Sequence, residues 1–177
     1  MMTGFCVEPR PVVLISYWGF GDIDGEWQTK PSEFYRTSGR LIAEEDARKV
    51  VGGKVLTGGE PEGKDRGRFF VYCRQNGIWP QEVSGFDPSR QRDKFTPYCP
   101  IRNLSADYPP ILMMHGTADT DVPSDKSVEM ARALAECKVT HELILIPNGG
   151  HGLGGGDPKL IEEAHARAFK FLKAHLN

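Results

Sequence analysis

Three runs of the chain are apolar at nearly every position: Pro11 to Tyr17, Pro110 to His115 and His141 to Ile146. Continuous apolar runs, rather than strict alternation, predict parallel strands covered on both faces. Two stretches carry helical periodicity instead. The first opens near Pro123-Ser124-Asp125, with Ser124 placed as N-cap, and runs to about Cys137; Val128, Ala131, Leu134 and Ala135 fall on one face. The second opens at Asp157-Pro158, an N-cap followed by proline in the first turn, and repeats Ile161, Ala164, Ala168, Phe171 and Leu172. Lys170, Lys173 and His175 sit at its end, where the helix dipole favours cations. The order is strand, long excursion, strand, helix, strand, helix, which predicts an α/β fold with right-handed crossovers.

The excursion makes the domain organisation. Residues 1–17 and 108–177 form one core, and residues 18–107 form a cap- or lid-like insertion between its first and second strands. Short helices are expected at 43–50 and about 66–76, between Gly- and Pro-punctuated loops. The segment is too rich in Trp, Phe and Tyr for a polar linker, and long excursions in compact domains are usually functional or inserted modules. No internal repeat is visible.

Composition narrows the class. With 177 residues, 39% hydrophobic and 26% charged, the chain is long and apolar enough to bury a core. A formal net charge of −2 argues against nucleic acid as the main partner. No apolar run approaches the ~20 residues that span a bilayer, and the first residues lack the basic region and apolar core of a signal peptide. Cys6, Cys73, Cys99 and Cys137 are scattered without a C-x-x-C pair, which reads as free buried thiols.

Several motifs invite chemistry that their context does not support. Gly58 to Asp65 fits a phosphate loop up to its last position, where Asp65 replaces the expected Ser or Thr, and Glu60 and Glu62 would repel phosphate. Gly150-His151-Gly152-Leu153-Gly154-Gly155 matches G-x-G-x-x-G between a strand and a helix, yet no later strand carries the ribose-binding acid. Its glycines are better explained as a tight loop presenting His151. Asp22, Asp24 and Glu26 lack the ligand count of a calcium loop and read as solvated carboxylates. No His/Cys cluster has zinc spacing. Ser16 and Ser105 are not in a nucleophile turn, and Asn103-Leu104-Ser105 is a glycosylation sequon.

The chemistry concentrates at two loops. His115 to Pro123 follows the second strand and Asn148 to Gly152 follows the third. Loops at the carboxyl ends of parallel strands share one rim, so Asp119 and His151 are expected on neighbouring turns. An acid that orients an imidazole is the supporting half of a nucleophile–base–acid triad. For Asp119 the competing assignment is an Asx-type turn or helix cap; Asp121 reads as a capping or loop residue, and His115 as a structural hydrogen-bonding group.

The stretch Tyr108 to Pro123, with its H-G-x-x-D-x-x-V-P pattern, resembles the acid-bearing segment of α/β-hydrolases, nearest to esterase/lipase and prolyl-oligopeptidase-like members. Pro147-Asn148-Gly149-Gly150-His151-Gly152 resembles their histidine loop, and Ser16 to Ile23 their strand end and cap entry. The resemblance implies the catalytic acid at Asp119, the general base at His151, and carboxylic ester hydrolysis by a Ser–His–Asp mechanism, with peptide hydrolysis as the alternative. Such a mechanism needs no metal or organic cofactor, and its partner is a small ester or peptide. One departure is central: no G-x-S-x-G turn occurs in these 177 residues. The expected order of serine, acid, base puts the missing turn, and with it the oxyanion hole, before Met1. The resemblance therefore implies the C-terminal part of a larger fold, inactive alone and lacking its N-terminal half. That half is expected upstream or from another chain; a homologue that kept the fold as a non-catalytic binding module is the other alternative.

Overall fold

A computed structural model of the chain describes residues 1–52 and 67–176. The elements along the chain are α1 (Thr3–Cys6), β1 (Leu14–Tyr17), α2 (Glu26–Thr29), α3 (Glu33–Thr37), α4 (Glu44–Arg48), α5 (Gly67–Asn76), α6 (Trp79–Ser84), β2 (Ile111–Gly116), α7 (Asp125–Glu136), β3 (His141–Ile146) and α8 (Pro158–His175). Contacts divide the chain into two compact units: Met1–Ile23 with Asp93–Asn177, and Asp24–Arg92.

In the first unit the strands pair in parallel in the order β1-β2-β3, with Leu14 opposite Ile111 and Ile111 opposite His141. This is the α/β architecture expected from the three apolar runs. β2 is central and buried at all its positions. Its side chains alternate between two cores. Ile111 and Met113 join Met130 and Leu134 of α7, together with Tyr108 and Val139. Leu112 and Met114 join Ala164, Ala168 and Phe171 of α8, with Ile146 and Leu153. A sheet clad by a helix on each face is why these strands read as unbroken hydrophobic runs.

Element ends follow local chemistry. β1 begins at Leu14 rather than Pro11, because Pro11 has no N–H for the ladder and Val12 is exposed. Asp157 caps α8 as expected, accepting from the backbone N–H of Lys159 at 2.8 Å. Ser124 occupies the N-cap position of α7 but its side chain makes no capping hydrogen bond. The short helices α2, α3 and α6 carry no signal in the sequence; four to six residues are too few to show a helical period.

In the second unit α5 supplies the organising side chains. Gln75 is buried; its amide donates to the carbonyls of Tyr35 (2.9 Å) and Arg40 (3.2 Å), and its oxygen accepts from Ile42 N–H (3.0 Å). Beside it, Arg74 donates to the Trp27 carbonyl at 3.0 Å and stacks over the Trp27 and Tyr35 rings. Phe34, Tyr35, Phe70 and Trp79 meet edge to face in series. Much of the aromatic content of the excursion is thus ordinary packing. The Gly58–Asp65 motif lies outside the described residues.

All four cysteines are free, but only Cys73 and Cys99 are buried; Cys6 is exposed and Cys137 half-buried. Burial, reinforced by Glu82, pushes the Cys73 thiol up to about 12. At pH 8 a thiol alkylating reagent is therefore expected to label Cys6 rapidly in the native chain and to spare Cys73, as mass spectrometry of timed samples would show. In urea titration, Leu112→Ala is expected to cost about 2–5 kcal/mol, while Phe169→Ala, at a position 67% exposed, stays within about 0.5 kcal/mol of the parent.

Candidate active site

Two glycines bring the functional loops together. Gly116 ends β2 and Gly149 follows β3, and a Cβ on Gly116 would collide with the Gly149 backbone. The contact is sealed by Thr117 N–H to Ile146 O (2.9 Å) and Ala118 N–H to Gly149 O (2.9 Å). It is completed by Asn148 N–H to the Thr117 hydroxyl (2.9 Å). Asn148 takes the left-handed conformation at φ 57°, which asparagine tolerates better than most residues. The chain then turns through a single 3-10 segment, His151–Leu153, with Gly152 at φ 78°. Leu153 drops into the α8-side core, anchoring the turn that carries His151.

The Asp119 side chain is fully buried. Its Oδ1 accepts the backbone N–H groups of Asp121 and Val122, both at 2.9 Å. Its Oδ2 lies 2.9 Å from His151 Nδ1 and 3.2 Å from His115 Nε2. The turn and the contact to an imidazole coexist at Asp119: one oxygen makes the turn and the other faces His151. Three donors around one carboxylate, with His115 Nε2 close by, offset the cost of removing it from water. An ionised carboxylate only accepts, so Nδ1 of His151 carries a proton, and in the neutral ring Nε2 is left as the basic nitrogen.

His151 is 42% exposed, and the Trp18 ring packs against it with centroids 5.4 Å apart. Trp18 has φ 41°, a strained conformation for a bulky residue. Asp121 Oδ2 sits 3.9 Å from His151 Nε2, beyond hydrogen-bonding reach. Among the described residues no serine hydroxyl bonds Nε2. Beside the histidine loop is a cavity of about 630 Å³, lined by Tyr17, Trp18, Leu153, Ile161 and His165 among others.

The remaining candidates fall elsewhere. Ser16 lies within β1 and Ser105 in the turn before β2. The Asn103 amide donates to the carbonyls of Thr96 (2.6 Å) and Cys99 (2.9 Å), so the sequon nitrogen is already engaged. Asp24 is not a solvated carboxylate: its side chain is buried, 3.5 Å from Arg92 Nε. Among the described residues no group of three or more His, Cys, Asp or Glu is arranged to hold a metal. None of their helices is long and apolar enough to cross a membrane. Sequence reasoning missed Ser127 and Trp18. Ser127 Oγ lies 2.7 Å from His115 Nδ1, completing a second Ser–His–Asp series, but Ser127 and His115 are wholly enclosed.

Gly116→Ala is expected to destabilise the chain by about 1–3 kcal/mol through overpacking, and to loosen the His151 turn in amide exchange. Gly154→Ala, where a Cβ meets open space, is expected to stay within about 0.5 kcal/mol in the same thermal melts.

Comparison with known proteins follows the same lines. A protein of unknown function from Staphylococcus aureus is 18% identical, with 92% of this chain and 56% of that one aligned at a TM-score of 0.67; that likeness is one of fold. A truncated carbohydrate esterase from gut microbiota is 28% identical over 52% of this chain and 34% of its own (TM-score 0.44). A puromycin-hydrolyzing peptidase from Mycobacterium tuberculosis is 15% identical over 93% of this chain and 18% of its own (TM-score 0.48). The chain thus spans from under a fifth to just over half of these structures. Among curated proteins none matches. A model of the prolyl oligopeptidase family matches residues 71–177, more than half of the chain and both loops of the site, and the chain belongs to that family, within the α/β-hydrolase superfamily.

Proposed function

We propose that the chain carries the acid and the base of a serine hydrolase, Asp119 and His151, and that the nucleophilic serine lies outside these residues. The observation that carries this reading is the 2.9 Å contact from His151 Nδ1 to the buried Asp119 Oδ2, made by an imidazole that is itself 42% exposed. A serine hydroxyl presented there would give its proton to His151 Nε2 as its oxygen attacks an acyl carbon. Asp119 would hold the tautomer and stabilise the imidazolium. The proton would then pass to the leaving oxygen or nitrogen, and water would release the acyl group by the same exchange.

The first substrate class is a carboxylic ester. Peptide bonds are the second reading, favoured by membership of the prolyl oligopeptidase family. The cavity beside Trp18 and Leu153 suits an apolar acyl or alcohol group. In this reading residues 18–107 are the lid-like insertion of the complete fold.

Without a G-x-S-x-G turn, the purified 177-residue chain is expected to hydrolyse p-nitrophenyl esters no faster than its His151→Ala variant. A product extended upstream to include an in-frame G-x-S-x-G turn is expected to be active. In it, Asp119→Asn should lower kcat by about 10⁴-fold and loss of the serine by about 10⁶-fold. Turnover by the short chain that vanishes in His151→Ala would overturn the placement of the nucleophile. An active extended protein indifferent to both substitutions would overturn the site.

A further inference from the structure

We propose that His115 is a positioning residue for the base, fixing through Asp119 and Ser127 both neighbours of the His151 ring; the proposal rests on the assignment of Asp119 and His151 as acid and base. His115 ends β2 and is wholly buried. Its Nε2 lies 2.9 Å from the Val122 carbonyl and 3.2 Å from Asp119 Oδ2. Both are acceptors, so Nε2 carries a proton. Its Nδ1 lies 2.7 Å from Ser127 Oγ, which in turn is 3.2 Å from the Gly19 carbonyl. In the neutral ring Nδ1 accepts the Ser127 proton. In the protonated ring Nδ1–H donates to Ser127 and the hydroxyl turns to Gly19. Either way the Nε2–H stays directed at the Val122 carbonyl, with Asp119 Oδ2 3.2 Å from the same nitrogen.

The consequence is directional. Val122 is tied at both ends, its N–H to Asp119 Oδ1 and its carbonyl to His115 Nε2, each at 2.9 Å. Rotating the Asp119 carboxylate would break the Oδ1 bonds and abandon His115 together, so Oδ2 is held where His151 Nδ1 needs it. On the other side, when His115 Nδ1–H donates to it, the Ser127 hydroxyl holds the carbonyl of Gly19, the residue after Trp18, whose ring packs on His151. One enclosed imidazole is thereby linked to the acid on one side of the base and to the aromatic on the other. Groups that lock a reacting side chain in this way are what keep it within the tolerance catalysis demands.

The 177-residue chain, labelled with ¹⁵N at histidine, tests this through the His151 Nδ1–H resonance, assigned by its loss in His151→Gln. His115→Asn places an amide near the old Nδ1 and leaves Asp119 without its second imidazole N–H. His115→Gln places an amide near the old Nε2 and restores a donor. In His115→Asn the His151 proton is expected to exchange with water about tenfold faster or more, with recovery in His115→Gln. An unchanged signal in a folded His115→Asn chain would overturn the proposal. If that variant does not fold, Ser127→Ala reports instead: loss of Trp18–His151 ring cross-peaks supports the proposal, and unchanged cross-peaks and exchange refute it. A parent chain whose His151 resonance matches that of Asp119→Asn would sink the acid–base pairing itself, and this proposal with it. A paired parent indifferent to His115 sinks the positioning role alone.

Discussion

A carboxylate out of water is the constraint around which the first unit is arranged. The Asp119 side chain has no exposed surface, and an uncompensated buried charge costs several kcal/mol. Its three donors come from two places, the backbone of its own loop and the turn after β3, with His115 at the end of β2 3.2 Å away. Satisfying them requires the β2 and β3 loops to meet, which requires two glycines in contact at Gly116 and Gly149. The sheet order makes that possible, since β2 and β3 are adjacent and parallel and release their loops on the same side. Polar satisfaction and the geometry of the proposed acid–base pair are the same requirement here.

The frame of this arrangement was legible in the sequence because its signals are strong and local. Three unbroken apolar runs, an Asp-Pro helix start and two helical stripes fixed β1, β2, β3, α7 and α8 to within a few residues. Asp119 and His151 followed from topology, since loops after neighbouring parallel strands must share a rim. What could not be read depends on distant contacts. Ser127 lies on α7 between Lys126 and Val128, and nothing in its neighbours announces that its hydroxyl meets an imidazole from β2. Trp18 looked like one aromatic among many; its φ of 41° and its packing on His151 exist only once the histidine turn has folded. Asp24 read as solvated because its partner Arg92 is far away in sequence.

The same logic explains why the competing readings of Asp119 proved compatible. A carboxylate has two oxygens, and a residue at a strand-to-helix loop can give one to the local backbone and the other to a distant ring. The turn occupies Oδ1 with Asp121 and Val122 and leaves Oδ2 to face the imidazoles. Sequence spacing suggests a turn and chemistry suggests an acid, and neither alone reveals that the first produces the second.

The two imidazoles on Asp119 Oδ2 show that distance alone does not identify a base. By proximity alone Ser127, His115 and Asp119 also line up as a triad, with a serine already 2.7 Å from the imidazole and the carboxylate 3.2 Å from its other nitrogen. It can do no acyl chemistry, since Ser127 and His115 are wholly buried and no substrate carbon can approach the hydroxyl. His151 makes fewer bonds and is 42% exposed, so its Nε2 can receive a proton from a group outside the described residues. Access therefore divides the labour: the enclosed histidine can only orient, and the open one can exchange protons. The carboxylate between them transmits the rigidity of the first to the second.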